Sequence, residues 1–146
     1  MQRQIKLIER ENQLLQEKLS IQQKERDDLR NELNGYGITF DSEGFIANYA
    51  DVLKSLEGRV NDLTNQYNAN GTEEGQEQLD NEIEGAKDRL DKFKDLYKRY
   101  DELQGKEIQD TLNEIEELKD SIEDLRIEAY KAAQEALDEL KEIRDS

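Results

Sequence analysis

The sequence predicts an all-α protein, in which an elongated antiparallel coiled-coil stem carries a tip made of a small β-hairpin and a helical hairpin. Three observations predict this class. Only 34% of the 146 residues are apolar and 40% are charged, which is too few apolar residues for the interior of a compact globule. The chain contains no proline, the residue that most strongly interrupts helices. Its apolar residues recur at alternating three- and four-residue steps, which keep one face of a helix against a partner.

Residues 1–34 are predicted to form the first stem helix, with a heptad repeat that has two seam positions. One seam position holds Ile5, Asn12, Leu19, Arg26 and Leu33, and the other holds Ile8, Leu15, Gln22, Leu29 and Tyr36. A disordered chain would have no reason to keep such a period, so the repeat indicates a folded helix. The three polar seam residues are expected to weaken the pairing and to restrict its register.

Residues 35–48 interrupt this repeat and are predicted to form a small β-hairpin. Two β-prone triplets, 38–40 and 45–47, flank a turn that runs from Asp41 to Gly44, as two short paired strands would. Asn48 is expected to cap the following helix with its side chain. Four aromatic residues in this region form either the hairpin's own small core or an exposed docking patch. These residues are Tyr36, Phe40, Phe45 and Tyr49.

Residues 49–104 are predicted to form the helical hairpin of the tip, with Thr72 as the cap of its second helix. The short turn between the two helices restricts their register. The predicted packing pairs are Leu53 with Leu90 and Val60 with Ile83. The same register places Gly58 level with Gly85, which predicts a close approach or a bend at that level.

Residues 105–146 are predicted to form the second stem helix, and Gly105 at its start is interpreted as a kink rather than a stop. The predicted stem pairs are Leu33 with Ile115, Leu19 with Ala129, and Leu15 with Ala133. The alternative is a parallel dimer through the first helix, because Asn12 at a seam position is typical of parallel dimers. Both ends of the chain stop in mid-repeat, so we interpret the chain as a piece of a longer stem.

The residue types available argue against an enzyme and against a cofactor or metal site. The chain has no histidine and no cysteine, which removes most nucleophile–base pairs and transition-metal sites. Its many paired carboxylates are expected on solvated helix faces. An oxygen-rich segment around Gly71 loosely matches a calcium loop, but Gln66 stands where that motif requires aspartate. A polar turn between helices is therefore the preferred interpretation.

The net charge of −16 argues against nucleic acid and anionic membrane surfaces as partners, because both attract clustered Lys and Arg. No apolar run approaches the length that spans a bilayer. The expected partners are other protein chains, including a second copy joined through coiled coil.

The stretch from Tyr36 to Tyr49, YGITFDSEGFIANY, resembles an element of phage and prophage tail tape-measure proteins. In that family, a tyrosine–glycine pair, an aromatic–aspartate turn closed by glycine, and an asparagine–tyrosine pair separate two long helical stretches. The acidic hairpin that follows is similar too, to about residue 103. The resemblance implies a virion protein, assembled in the host bacterial cytoplasm, that sets tail length and leaves the tube during genome delivery. Phe45 and Ala47 depart from the polar residues of the family pattern.

Two other functions remain open. A prefoldin-like chaperone subunit also joins two long helices through β-hairpins, but it should expose apolar residues at its helix ends to grip clients. Here the first four residues and the last five are mainly polar, which favours the tape-measure interpretation. A generic coiled-coil tether is the third alternative.

Overall fold

The computed structural model describes residues 2–145 and confirms the all-α class. The elements are α1 (Gln2–Asn34), α2 (Tyr49–Ala69), α3 (Glu73–Glu102), a π-helical turn (Leu103–Glu107) and α4 (Ile108–Asp145). Met1 and Ser146, at the outer ends of the first and last predicted segments, lie outside the described residues. None of the helices described combines the length and the apolar character needed to cross a membrane.

The chain divides into two compact units. The central unit is Lys24–Lys106, and the terminal unit joins Met1–Gln23 to Glu107–Ser146. The predicted boundaries at residues 34, 48 and 104 follow secondary structure, whereas these units cut through α1 and the π-helical turn. Each unit is described separately below.

The core of the central unit contains residues from α1, the loop after it, α2 and α3. Leu33, Ile38, Val52, Phe93 and Tyr100 form the buried cluster. Leu33, which was predicted as a stem residue, belongs to this cluster of the central unit. The reason is that the loop folds back onto the end of α1 and supplies apolar partners from nearby in the chain.

The helical hairpin of α2 and α3 largely follows the predicted stripes. Ile83 is buried, and Leu53, Val60 and Leu90 are half-buried. Thr72 is confirmed as the cap of α3, because its hydroxyl accepts a hydrogen bond from the backbone N–H of Gly75 at 3.1 Å. This side chain satisfies one of the backbone donors that a helix leaves open at its first turn.

The glycine pair of this hairpin does not mark a close approach. A Cβ atom built on Gly58 or on Gly85 would meet no heavy atom within 4 Å. The two helices therefore leave room for a side chain at both positions, and the prediction of a glycine-dependent contact is wrong.

The predicted β-hairpin is reduced to a tight loop with a single antiparallel bridge between Phe40 and Ile46. The side chain of Asn48 ends the hydrogen-bond ladder of the loop. The Asn48 carboxamide accepts from the N–H of Thr39 at 2.8 Å and donates to the carbonyl of Gly37 at 2.9 Å. Because this side chain occupies backbone groups that a longer strand would pair, no strand forms in the loop as described.

Asn48 consequently does not cap α2 with its side chain as predicted. It stands at the N-cap position, but no side-chain capping hydrogen bond is present. Its carboxamide is turned back into the loop instead, where it makes the two bonds just described. The residue joins the beginning and the end of the loop.

In the terminal unit, α1 and α4 contact each other through an ion pair. The Nη2 atom of Arg126 is 3.2 Å from the Oε1 atom of Glu9. Leu15 lines a groove with Leu118, whereas Ala133, its predicted partner, is exposed. The contacts are displaced from the predicted pairs by about two heptads, because a heptad stripe matches its partner equally well at each seven-residue shift.

The other predicted stem residues of the terminal unit differ in burial. Leu19 and Ile115 are buried, with 9% and 5% of their surface exposed, and Ala129 is half-buried. Seam residue Asn12 lines a groove with Ile122. Its Oδ1 atom is buried and has no hydrogen-bond partner, which is an energetic cost in the seam.

The helix passes through Gly105 without stopping. Residues 103–107 form one π-helical turn between α3 and α4. The helix is therefore irregular at Gly105 but does not end there. Buried residues step by seven from Phe93 to Tyr100 and again from Ile108 to Ile115, but by eight from Tyr100 to Ile108. The wider π-turn accommodates the one additional residue.

Candidate functional site

The most elaborate side-chain arrangement in the central unit fastens the loop of residues 35–48 onto α3. The hydroxyl of Tyr100 donates a hydrogen bond to the carbonyl oxygen of Gly44, and the side-chain amide of Gln104 donates to the carbonyl of Glu43 at 3.2 Å. Gly44 has φ +87°, a conformation that favours glycine. We refer to the loop and these two α3-side contacts as the clasp.

The turn of the clasp is shaped by its own aspartate. One carboxylate oxygen of Asp41 accepts the backbone N–H groups of Glu43 and Phe45, both at 2.9 Å. An aspartate that bonds the backbone two residues ahead forms an Asx-turn, a local structure that fixes the chain reversal. Gly44 follows in its left-handed conformation. The aspartate-to-glycine signal in the sequence therefore identified the turn correctly.

A run of aromatic rings packs behind the clasp. Tyr49 stacks on both Tyr97 and Phe93, with ring centroids 3.7 and 5.5 Å away. Tyr36 lies 5.4 Å from Phe93, at the distances where aromatic pairs attract beyond simple burial. The rings of α3 thus hold both the start of α2 and the beginning of the loop that follows α1.

A second aromatic contact lies on the other side of the loop. Phe40 packs against Tyr100, with centroids 5.3 Å apart, and the guanidinium of Arg30 lies 4.3 Å from the Phe40 ring centroid. Arg89 covers Tyr36 in the same way at 4.4 Å. These cation–π contacts place positive charge over ring faces and shield the rings from water.

The four predicted aromatic residues differ in how they pack. Tyr36, Phe40 and Tyr49 are half-buried and pack against the central core. Phe45 is the exception, with 39% of its surface exposed, and it lines a small cavity of about 70 Å³ with Ile46 and Tyr97. Three of the four aromatics therefore pack against the internal core.

The end of α1 is joined to α3 by an ion pair within the central unit. Arg99 contacts both carboxylate oxygens of Glu25, from Nε at 2.6 Å and from Nη2 at 3.0 Å. These hydrogen bonds hold the pKa of Glu25 below its usual value, against an opposing effect of desolvation. A two-pronged arrangement of this kind fixes orientation as well as charge.

Burial also raises the pKa of two tyrosines in this unit, Tyr97 and Tyr100. For Tyr100, the positive charges of Arg30 and Arg26 oppose the effect of desolvation. The neutral hydroxyl that donates to Gly44 is therefore the form that the fold favours.

No group of three or more histidine, cysteine, aspartate or glutamate side chains able to hold a metal ion is found among residues 2–145. In the segment that loosely matched a calcium loop, the Asn70 carboxamide oxygen accepts from the N–H and the hydroxyl of Thr72, both at 2.9 Å. That segment is a polar turn which prepares the cap of α3.

Sequence reasoning missed the contacts that hold the clasp. Nothing in the spacing of Tyr100 along the sequence indicated a hydrogen bond to a loop 56 residues away. Glu25 and Arg99 are 74 residues apart, and their pairing was not predicted. Oppositely charged residues on two predicted helices were the available signal, but such pairs are common in an acidic coiled coil.

Comparison of the chain with protein-family models, curated proteins and solved structures finds no match.

Proposed function

We propose that this chain is a structural segment of a phage tail tape-measure protein, without enzymatic activity, in which the terminal unit is an antiparallel coiled coil. The proposal rests on the sequence resemblance of residues 36–103 together with what the clasp does. In this interpretation the chain contributes to tail-length determination, tail assembly and genome delivery in the virion.

One observation carries the structural role: the conspicuous polar groups of the clasp are used to hold the loop. Asp41 accepts two backbone N–H groups of its own turn, Asn48 bridges the two ends of the loop, and Tyr100 fixes Gly44. A catalytic or binding site needs groups directed at a ligand. In a long helical protein, a loop that interrupts the heptad repeat must be held in place by its own contacts, and the clasp is such a loop.

The contacts in the terminal unit support an antiparallel arrangement. Along α1, Glu9 and Leu15 follow each other in chain order, whereas their respective neighbours Arg126 and Leu118 on α4 follow in reverse order. Pairing of α1 with α4 within one chain is also favoured by tethering, which raises the effective concentration of the two helices. This favours the antiparallel stem over the parallel dimer through the first helix.

The prefoldin-like alternative depends on apolar residues that are free to grip clients. The end of α4 does expose two leucines, Leu137 and Leu140. The aromatic residues of the clasp, however, are largely engaged in the core. A chaperone assay separates the alternatives, because a client-binding chain should suppress the aggregation of an unfolded protein at stoichiometric amounts.

The proposal is tested by deleting the coding sequence for residues 2–145 in frame from the parent gene of the phage and measuring tail length by electron microscopy. A helix rises about 1.5 Å per residue, so tails should shorten by at most about that distance for each residue removed. Unchanged tail length in infectious particles would contradict the proposal, as would suppression of client aggregation by the isolated chain.

A further inference from the structure

A small cavity in the central unit lies between the turn of the loop and α3, and we call it the aromatic cavity. Its volume is about 70 Å³. Its lining residues are Phe45, Ile46, Tyr97, Tyr100, Asp101 and Gln104. Phe45 and Asp101 are exposed, so the cavity reaches the protein surface on their side. A water molecule takes up about 30 Å³ in the liquid, so the cavity admits only a small chemical group.

Two polar side chains of the lining are already committed to holding the loop. The Tyr100 hydroxyl donates to the carbonyl of Gly44, and the Gln104 amide donates to the carbonyl of Glu43. The Oε1 atom of Gln104 also accepts from Arg26 at 3.5 Å. Neither side chain can serve a ligand without giving up a contact of the clasp.

Asp101 and Tyr97 supply the remaining polar groups of the lining. No ion pair or hydrogen bond within residues 2–145 uses the Asp101 carboxylate. Desolvation raises the pKa of Tyr97, and the negative charge of Asp101 raises it further, so the carboxylate acts on this hydroxyl. An ionised carboxylate accepts hydrogen bonds and donates none. The aromatic cavity therefore offers a negative charge to a group that carries donors.

The rest of the lining also favours a cation. Phe45, Tyr97 and Tyr100 make half of the lining aromatic, and aromatic rings attract a cation that lies over their faces. Phe45 is exposed although it is a large apolar residue, with 39% of its surface in contact with solvent. Asp101 is the charged residue of this lining, so the aromatic and the charged groups favour the same kind of ligand.

Two arginines of the central unit lie close by but are directed elsewhere. Arg26 and Arg30 line a different cavity and are absent from the lining of the aromatic cavity. Arg26 contacts the Asp27 carboxylate at 3.2 Å, and the Arg30 guanidinium lies 4.3 Å from the centroid of the Phe40 ring. Their positive charges therefore do not occupy the place of a cation beside Asp101.

We propose that the aromatic cavity binds the ammonium group of a lysine side chain from another protein chain, with Asp101 as its ion-pair partner and Phe45 and Tyr97 as its aromatic contacts. Lysine carries a compact charge with three donors on a thin aliphatic stem, whereas the guanidinium of arginine is a wider planar group. The net charge of −16 attracts basic protein surfaces. This binding site goes beyond the proposed tail function and does not depend on it.

A titration of the full, isotope-labelled chain with the peptide acetyl-Gly-Lys-Gly-amide tests the proposal by NMR at constant ionic strength. We expect saturable shifts at the backbone amides of residues 45, 97 and 101, with a dissociation constant of about a millimolar, as a single anchored side chain gives. The same peptide with Nε-acetyllysine or with arginine should bind about tenfold more weakly, because the first lacks the charge and the second lacks the shape.

Two substitutions assign the binding to the aromatic cavity. Asp101→Asn should weaken binding about tenfold, and Phe45→Leu should weaken it about threefold, because the apolar volume is kept and the ring is lost. Asp95→Asn is the matched control, since Asp95 is also exposed on α3 and changes the net charge equally, but it lies outside the lining. It should leave binding unchanged, and circular dichroism should show intact helices in all three variants.

Three results would overturn the proposal. The first is the absence of saturable shifts at these amides. The second is equal binding of the lysine and Nε-acetyllysine peptides, which would show that the ammonium charge is not recognised. The third is an equal effect of Asp101→Asn and Asp95→Asn, which would show that the peptide responds only to the overall negative charge of the chain.

Discussion

The hydroxyl of Tyr100 on α3 donates a hydrogen bond to the carbonyl oxygen of Gly44, 56 residues earlier in the chain. Tyr100 is almost fully buried, with 1% of its surface exposed, and its ring packs on Phe40 of the same loop. One side chain therefore contributes both an apolar and a polar contact to the clasp.

Replacing Tyr100 with phenylalanine should lower the free energy of unfolding by about 1 kcal/mol, because the ring is kept and one hydrogen bond is lost. Urea denaturation followed by circular dichroism measures the change. Tyr97→Phe is the control, since the Tyr97 ring stacks on Tyr49 and this contact survives the substitution. If both variants lose the same stability, the Tyr100 hydrogen bond has no special role in the clasp.

The contribution of the Tyr100 hydrogen bond to the free energy of unfolding should disappear at alkaline pH. Burial raises the pKa of Tyr100, so the folded state favours the neutral hydroxyl. The stabilisation is fully present below the ordinary tyrosine pKa of about 10 and is lost as pH rises through the folded-state pKa. The stability difference between the wild-type chain and Tyr100→Phe should therefore be constant from neutral pH to mildly alkaline pH and shrink above that range. A difference that grows with pH would contradict the assignment.

The ion pair of Glu25 with Arg99 should respond to acid in the opposite direction. The pKa of Glu25 is lowered, so its contribution is present above the ordinary carboxyl pKa and is lost as pH falls through the folded-state value. Both side chains are more than a third exposed, and solvent screening limits the effect of Glu25→Gln at neutral pH to about 0.5–1 kcal/mol.

Chemical denaturation of both proteins at neutral and strongly acidic pH checks this expectation. Wild type and Glu25→Gln should converge in acid. Glu32→Gln is the matched control, because the Glu32 carboxylate is 3.9 Å from Lys92 and 52% exposed and should contribute less. A Glu25→Gln difference that stays the same at both pH values would show that the carboxylate charge is not responsible.

Four glycines of the central unit should divide into two groups by the effect of a change to alanine on stability. Gly58 and Gly85 lie inside helices with space for a Cβ, so each substitution should raise stability by about 0.5–1 kcal/mol. Gly37 and Gly44 have φ values of +89° and +87°, where an L side chain is strained, so each should lose about 1–2 kcal/mol. Thermal denaturation distinguishes the groups. Destabilisation by Gly58→Ala would show that the two helices approach more closely than the structure indicates.

The helices and their buried faces could be predicted from the sequence because both depend on local information. Ile83 was predicted to pack within the helical hairpin, and it is buried. Thr72 was identified as a cap because the residue type and the geometry of a helix start are directly linked. The heptad repeat could not select among registers that differ by seven residues, so the predicted partner of Leu15 was wrong.

The clasp could be predicted only in part. The turn from Asp41 to Gly44 was recognisable, because both residues have local turn preferences. The function of Asn48 was not, since a carboxamide at a helix start can bond either the helix or the loop before it. The contact of Tyr100 with Gly44 depends on how α3 lies against the loop, which no local pattern determines.

Disulfide formation tests whether α1 pairs with α4 in the terminal unit. The chain has no cysteine of its own, so two introduced cysteines can form only one disulfide within a chain. Cysteines at Leu15 and Leu118, which line one groove, should form an intramolecular disulfide readily, whereas cysteines at Leu15 and Ala133 should not. A disulfide that forms readily between positions 15 and 133 but not between positions 15 and 118 would contradict this pairing, as would crosslinks found only between chains.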